Sequence, residues 1–365
     1  MTRASLLGLI SSLGAVLATG CGTSEPIDKD PAQSPTYLEP TSGQTTLSGY
    51  AWDPEAFFMS TEGCKAAPKP PQNGTTEYCP IPPLLSEVFP LYNLAAVKGA
   101  SIFVIDPLAP PTDPPKFTTT TPASGLWRIE GLPSRDNVPY LVANLGTGSL
   151  SPDSVGGLPA VAAAPYLPTV TLRPFLTGNA RLCPLGEAMQ TSDRGVLEAV
   201  AKYQESKGKP TQVTDFLNPA KYTSVAVFWL YLPAALPNLL FPAAGTSIQA
   251  SAGVKYHIAW KPVPTSGPTG TQSRRGFYVD DKATSSPIGV TVVVIPAGTP
   301  LTPTMTYVAQ DTVTNAALGR PLVFPPLPLQ PVPGIISAVS LQLMSSAPLP
   351  DGKQPAGPPW FLCVQ

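Results

Sequence analysis

The chain has 365 residues, with 22 Lys and Arg against 23 Asp and Glu, a single His and a formal charge of −1 at pH 7. That balance excludes the large positive field of a nucleic-acid or anionic-membrane binder. Charged residues are 12% of the chain, about half the usual ~25%, while the apolar 43% is ordinary for a chain that buries a core. The 49 prolines are the outlier. Proline removes a backbone donor and clashes inside helices and central strands, so the expected elements are short strands separated by prolyl loops.

Taken from its start, the chain carries Arg3, then an uncharged and largely apolar run over residues 6–17, then Ala18, Thr19, Gly20 and Cys21. A basic start, an apolar stretch too short to span a bilayer and a small-residue site form the pattern of an export signal. With a cysteine directly after that site, residues 1–20 resemble a bacterial lipoprotein signal with its lipobox. Ala18 stands where that family prefers leucine. The resemblance implies cleavage before Cys21, a thioether-linked diacylglycerol on its sulfur and an acyl group on its new amino terminus. Two or more acyl chains suffice for stable anchoring. The expected location is therefore the bacterial cell envelope, with the membrane as partner through the lipid. Gly22, in place of the aspartate that retains many such lipoproteins in the inner membrane, points to the outer membrane, periplasmic or surface-facing. Residues 21–43 are polar and prolyl, with little to bury, and read as a disordered tether.

Residues 44–145 hold a succession of short strands. Residues 45–52 alternate, residues 53–93 make a long excursion, and residues 99–105 alternate again, with Ile102 and Val104 on one face. Thr118 to Thr121 follow a proline-rich stretch. Residues 125–133 place Trp127 and Ile129 on one face between Gly125 and Gly131, where turns need positive φ. Residues 139–143 close the block. The order Leu47-Ser-Gly49, Lys98-Gly-Ala-Ser-Ile-Phe-Val104, the threonine run, Gly125-Leu-Trp-Arg-Ile129, Gly131-Leu-Pro133 and Tyr140-Leu-Val142 resembles the carboxypeptidase-regulatory-like, transthyretin-like sandwich. It implies a Greek-key β-sandwich, with a structural or interaction role, since this module usually lacks catalytic residues. The lengthened first loop lies outside the family pattern.

Residues 146–164 read as a linker, and residues 165–365 as a larger, β-sandwich-like domain carrying one amphipathic helix. Residues 166–176 form a strand interrupted by Pro168 and Pro174. The helix is expected over 193–207, capped by Ser192 or Asp193 and ended by Gly208, with Val196, Val200 and Tyr203 on one face and Glu198 paired to Lys202. Residues 222–232 are apolar on both faces, as a buried central strand requires. Residues 253–260 alternate, which predicts one wet face bearing His257. Strands are also expected over 276–280, 288–295, 305–309 and 335–343, and an extended polyproline-like stretch over 325–333.

Beside Cys21, an even set of four cysteines remains: Cys64, Cys79, Cys183 and Cys363. In an exported chain they read as disulfides, three pairings being open; Cys64 with Cys79 and Cys183 with Cys363 is favoured, since one pair sits in a loop and the other brackets a domain. No cofactor or metal is expected, because no two cysteines have close ligand spacing. Catalytic groups are scarce. His257 is the one imidazole, and no nucleophile elbow, zincin helix or phosphate loop occurs. Asp280 and Asp281 are the carboxylates of a third, hydrolytic alternative. Adjacent strand residues face opposite ways, which argues against it. The long loop 52–92 is rich in aromatics, and Trp52, Phe57, Phe58 and Tyr78 are candidate ligand-stacking residues for a polysaccharide or peptidoglycan. The leading expectation is a non-enzymatic, lipid-anchored protein that presents loops to an envelope protein or polysaccharide partner.

Overall fold

The computed structural model describes residues 43–59, 95–106, 108, 115–134, 140–151, 165–175, 185–231, 243–299, 305–311, 322–323, 327–329, 332–342 and 344–345. The signal, Cys21, the tether up to residue 42, Tyr78 and all four remaining cysteines lie outside them. The protein is mainly β. Its first strands are β1 (Gln44–Trp52), β2 (Val97–Lys98), β3 (Ser101–Ile105), β4 (Thr118–Thr120), β5 (Leu126–Pro133), β6 (Tyr140–Asn144) and β7 (Ser149–Leu150). There follow β8 (Tyr166–Leu167), β9 (Thr169–Phe175), β10 (Leu185–Met189), β11 (Thr191–Ser192), β12 (Tyr222–Tyr231), β13 (Thr246–Ala250), β14 (Val254–Trp260), β15 (Phe277–Val279) and β16 (Val290–Pro296). The last are β17 (Met305–Asp311), β18 (Leu322–Val323), β19 (Leu327–Leu329), β20 (Ile336–Gln342) and β21 (Met344–Ser345). Two helices matter below: α1, a short one over 54–59, and α2, Val196–Ser206.

One nine-stranded sheet runs in the order β15-β14-β16-β12-β20-β9-β6-β3-β4. A three-stranded sheet, β10-β1-β5, lies over its β9-β6-β3 end. Between these layers Leu47, Ile102, Val104, Trp127, Ile129, Tyr140 and Val142 form one core cluster, so the faces read from alternation are the buried ones. Gly125 adopts φ +73°, and a Cβ there would strike the Ala51 carbonyl. Tyr140 donates from its hydroxyl to the Pro133 carbonyl at 2.9 Å, tying the end of β5 to β6.

The boundary expected at 146–164 does not separate two sheets. Strand β9 pairs antiparallel with β6 and parallel with β20, and β10 pairs parallel with β1. Residues on both sides of that boundary therefore share hydrogen-bonded ladders.

Strand β12 is central, between β16 and β20, and is buried on both faces as its composition requires. Val225, Val227, Trp229 and Tyr231 join Val196, Leu197 and Val200 of α2 in one cluster. Ala226, Phe228 and Leu230 join Ile248 of β13 in another. Each valine, leucine, isoleucine or phenylalanine among them contributes about 1.5–3 kcal/mol by leaving water. Strand β9 continues through Pro174, where the ladder with β6 is irregular: Tyr140 faces Phe175 and Val142 faces Thr171. A proline is tolerated at such a bulge because no ladder bond is asked of it. Within the stretch expected to be polyproline-like, Leu327–Leu329 instead pairs with β17 as a strand.

Two expectations are corrected. Helix α2 begins at Val196, three residues later than the apolar pattern suggested, and neither Ser192 nor Asp193 is its N-cap. Strand β14 has no wet face through its middle: His257 and Ala259 are 6% and 2% exposed. Strand β13, whose polar sequence gave no strand signal, lies against β14 and β16. Among the described residues no helix is long and apolar enough to cross a membrane.

Candidate functional site

The densest polar constellation starts where β1 ends. Asp53 follows the strand, and Pro54 opens α1 with its fixed φ and missing N–H at a position where neither is a cost. The Asp53 carboxylate, through Oδ1, accepts from the N–H groups of Glu55 and Ala56, each at 3.0 Å, which caps the helix. Its other oxygen, Oδ2, accepts from the Tyr166 hydroxyl at 3.1 Å and lies 2.7 Å from Arg275 Nη1. Glu55, one step on, turns toward α2. Its Oε1 accepts from the Val196 N–H at 2.9 Å, and its Oε2 accepts from the Ser192 hydroxyl at 2.7 Å and Arg275 Nη1 at 2.8 Å. Glu55 thus occupies the capping position that Ser192 and Asp193 leave open. A carboxylate there also faces the positive end of the helix dipole. Gly195 permits the approach, because a Cβ on it would overlap the Glu55 carboxyl group.

Arg275 and Asp53 have fully buried side chains, and that of Glu55 is 1% exposed. Burial pushes the Glu55 carboxyl up to about 7; Arg275 pulls it down and the neighbouring Asp53 raises it again. Burial, then Asp53, also holds the Tyr166 phenol well above its ordinary value, so it stays a donor. For Arg275, burial works against the charge, but Asp53 and Glu55 outweigh it and raise its pKa.

The turn bearing Arg275 is fixed from outside by its neighbour. Arg274 donates through its backbone N–H and Nε to Glu198 of α2, at 2.7 and 2.9 Å. Lys202 sits 3.5 Å from the same carboxylate, the i,i+4 pair expected from the sequence, and donates to the Gln272 carbonyl at 2.9 Å. The Arg275 carbonyl accepts from Trp260 Nε1 at 2.8 Å. Two consecutive arginines therefore clamp one helix, Arg274 from the surface and Arg275 from beneath. Chemically, Asp53, Glu55 and Arg275 form an ionisable cluster without solvent access. It joins α1, β8, β11, α2 and the turn before β15.

The residues singled out from sequence fare differently. Trp52, Phe57 and Phe58 are 0%, 4% and 2% exposed. This corrects their reading as rings offered to a ligand. Trp52 and Phe57 meet edge to face at 5.8 Å, and Phe58 packs on Trp229, Trp260 and Phe277. Their faces are spent on the core beneath α2, because α1 turns the chain inward directly after β1. Asp280 and Asp281 do not form a pair. Asp280 accepts from the Lys282 N–H at 3.1 Å, whereas Asp281 meets Lys207 at 3.1 Å and the Tyr203 hydroxyl at 3.4 Å. Lys207 holds the Asp281 carboxyl below its usual range. His257 is buried rather than solvated; burial, then Lys255, lowers its pKa, against Asp280. Gly146 and Gly148 both have positive φ, in keeping with a connecting turn.

The sequence reading missed Asp53, Glu55 and Arg275. Asp-Pro-Glu is itself a helix-start signal and marks the first two. Nothing marks Arg275, whose partner Glu55 lies 220 residues away. Among the described residues no group of three or more His, Cys, Asp or Glu is placed to hold a metal ion. No protein-family model, curated protein or solved structure matches the chain.

Proposed function

We propose that this chain is a lipid-anchored lipoprotein of the bacterial envelope, on the outer membrane, whose β body has a non-catalytic structural or interaction role. The observation that carries the reading is Cys21, set directly behind a basic start, an apolar run and a small-residue site. Two features of the folded part support it. The order of elements over 44–145, with Ile102, Val104, Trp127 and Ile129 in one core, suits a carboxypeptidase-regulatory-like sandwich. The strongest cluster of ionisable groups, Asp53, Glu55 and Arg275, is buried and committed to joining elements. The partner is an envelope protein or an envelope polysaccharide, met by loops of the sandwich. The burial of Trp52, Phe57 and Phe58 withdraws support from stacking by those rings.

The test is sedimentation of a chain spanning residues 22–365 with isolated envelope fractions, before and after protease treatment. Such a chain lacks both the apolar signal and Cys21, so co-sedimentation reports the body alone. Saturable binding lost after protease identifies a protein partner, and binding that survives identifies a polysaccharide. No binding to either fraction contradicts the interaction role.

A further inference from the structure

The buried cluster carries an unequal charge. Asp53 and Glu55 share one guanidinium nitrogen, Nη1 of Arg275, at 2.7 and 2.8 Å. Among the described residues the further counter-charge is partial: the α2 N-terminus facing Glu55 and the first N–H groups of α1 facing Asp53, each at most about half an elementary charge and less for the short α1. With both carboxylates ionised, the site holds excess negative charge out of water, where such charge is poorly tolerated. One proton between the two carboxylates removes the excess while Arg275 keeps an ionised partner. The same two residues hold the amino end of α2 and the Arg275 turn against the end of β1.

We propose that the Asp53–Glu55–Arg275 cluster is a proton-dependent latch: one proton on the carboxylate pair closes the α2 N-terminus and the Arg275 turn onto α1, and loss of that proton loosens them. The groups facing Glu55 are Asp53 on its own turn, Tyr166 of β8, Ser192 of β11, the Val196 N–H of α2 and Arg275. Nearby, Glu198 is engaged by Arg274 and Lys202, and Arg274 also donates to the Asp193 carbonyl at 3.5 Å. The raised value of Glu55, about 7, puts the change in the near-neutral range. The sign follows from proton linkage: a carboxyl with a raised folded-state pKa favours the closed form below that value and loses the contribution as pH rises toward it.

The latch is tested on the full-length chain in detergent by hydrogen–deuterium exchange from pH 5.5 to 8.5, corrected for intrinsic exchange. Peptides covering residues 193–200 and 272–279 report the α2 N-terminus and the Arg275 turn. The expected result is protection there that falls from pH 5.5 to about 7, approaching about tenfold per pH unit for loss of one proton, and levels off at higher pH, with β12 unchanged. E55Q should make this protection independent of pH, and D53N should shift its fall. Constant protection in the wild type, or an unaltered pH dependence in E55Q, overturns the proposal. Should E55Q not fold, infrared spectra of the wild-type chain decide. A buried protonated carboxyl band present at pH 6 and lost at pH 8.5 upholds the latch, and its absence at pH 6 overturns it.

Discussion

Arg275 is the buried cation that holds both Asp53 and Glu55. Replacing it with Met leaves two carboxylates in the interior without their cation, which costs about 3–5 kcal/mol; urea denaturation of R275M against wild type measures the loss. R275K should recover only part of it, because an ammonium is more strongly hydrated than a guanidinium and costs more to bury. Gly195 makes a sharper prediction. Its Cβ-free surface admits the Glu55 carboxyl group, so G195A should destabilise by about 1–3 kcal/mol through overpacking, although alanine is the better helix former. At this scale the sequence was half legible. Asp53, Pro54 and Glu55 carry a local helix-start signal. Arg275 and Gly195 owe their roles to residues distant in the chain, and local pattern cannot reveal such pairings.

Elements read from alternation were found where one face is buried and the other wet, as in β5, and where composition is apolar throughout, as in β12. Elements that depend on a partner were not. Strand β10 is a Leu-Gly-Glu-Ala-Met segment with a buried Glu187, and it is extended because β1 supplies its ladder. Helix α2 starts late because its cap comes from Glu55, 141 residues away. The core face of β12 yields a direct check. Phe228 is fully buried, and F228A should cost about 3–5 kcal/mol in an unfolding titration. The pH dependence of stability can be separated by element as well. Between about 4.5 and 7 the raised Glu55 makes the fold less stable as pH rises. The depressed His257 of β14 acts the other way, making the fold less stable as pH falls below 6.5. Urea midpoints from pH 4.5 to 8 should therefore show a steeper gain on acidification in H257N than in the wild type. In E55Q the Glu55 gain should disappear, exposing the His257 loss.

For the whole molecule, the continuous sheet changes what a division of the chain would do. Because β6 pairs with β9 and β1 with β10, residues 44–145 and 165–365 each supply edges that the other covers, and bared edges invite aggregation. A specific protease site engineered into 152–164 should, once cut, leave two pieces that co-elute in size-exclusion chromatography until denatured. Pieces that separate under native conditions would contradict the shared sheet. The mainly β class was legible from the prolines and alternation, whereas the joining of the two blocks was not, since it depends on pairings between distant strands. Envelope anchorage rests on the first twenty-one residues, outside the described fold, and the claim it supports is chemical. Mass spectrometry of the amino-terminal peptide of the protein isolated from whole cells tests it most directly. The account predicts a peptide that begins at Cys21 and carries a diacylglyceryl group with an additional acyl chain. A peptide retaining residues before Cys21, or one with an unmodified Cys21 thiol, would contradict it.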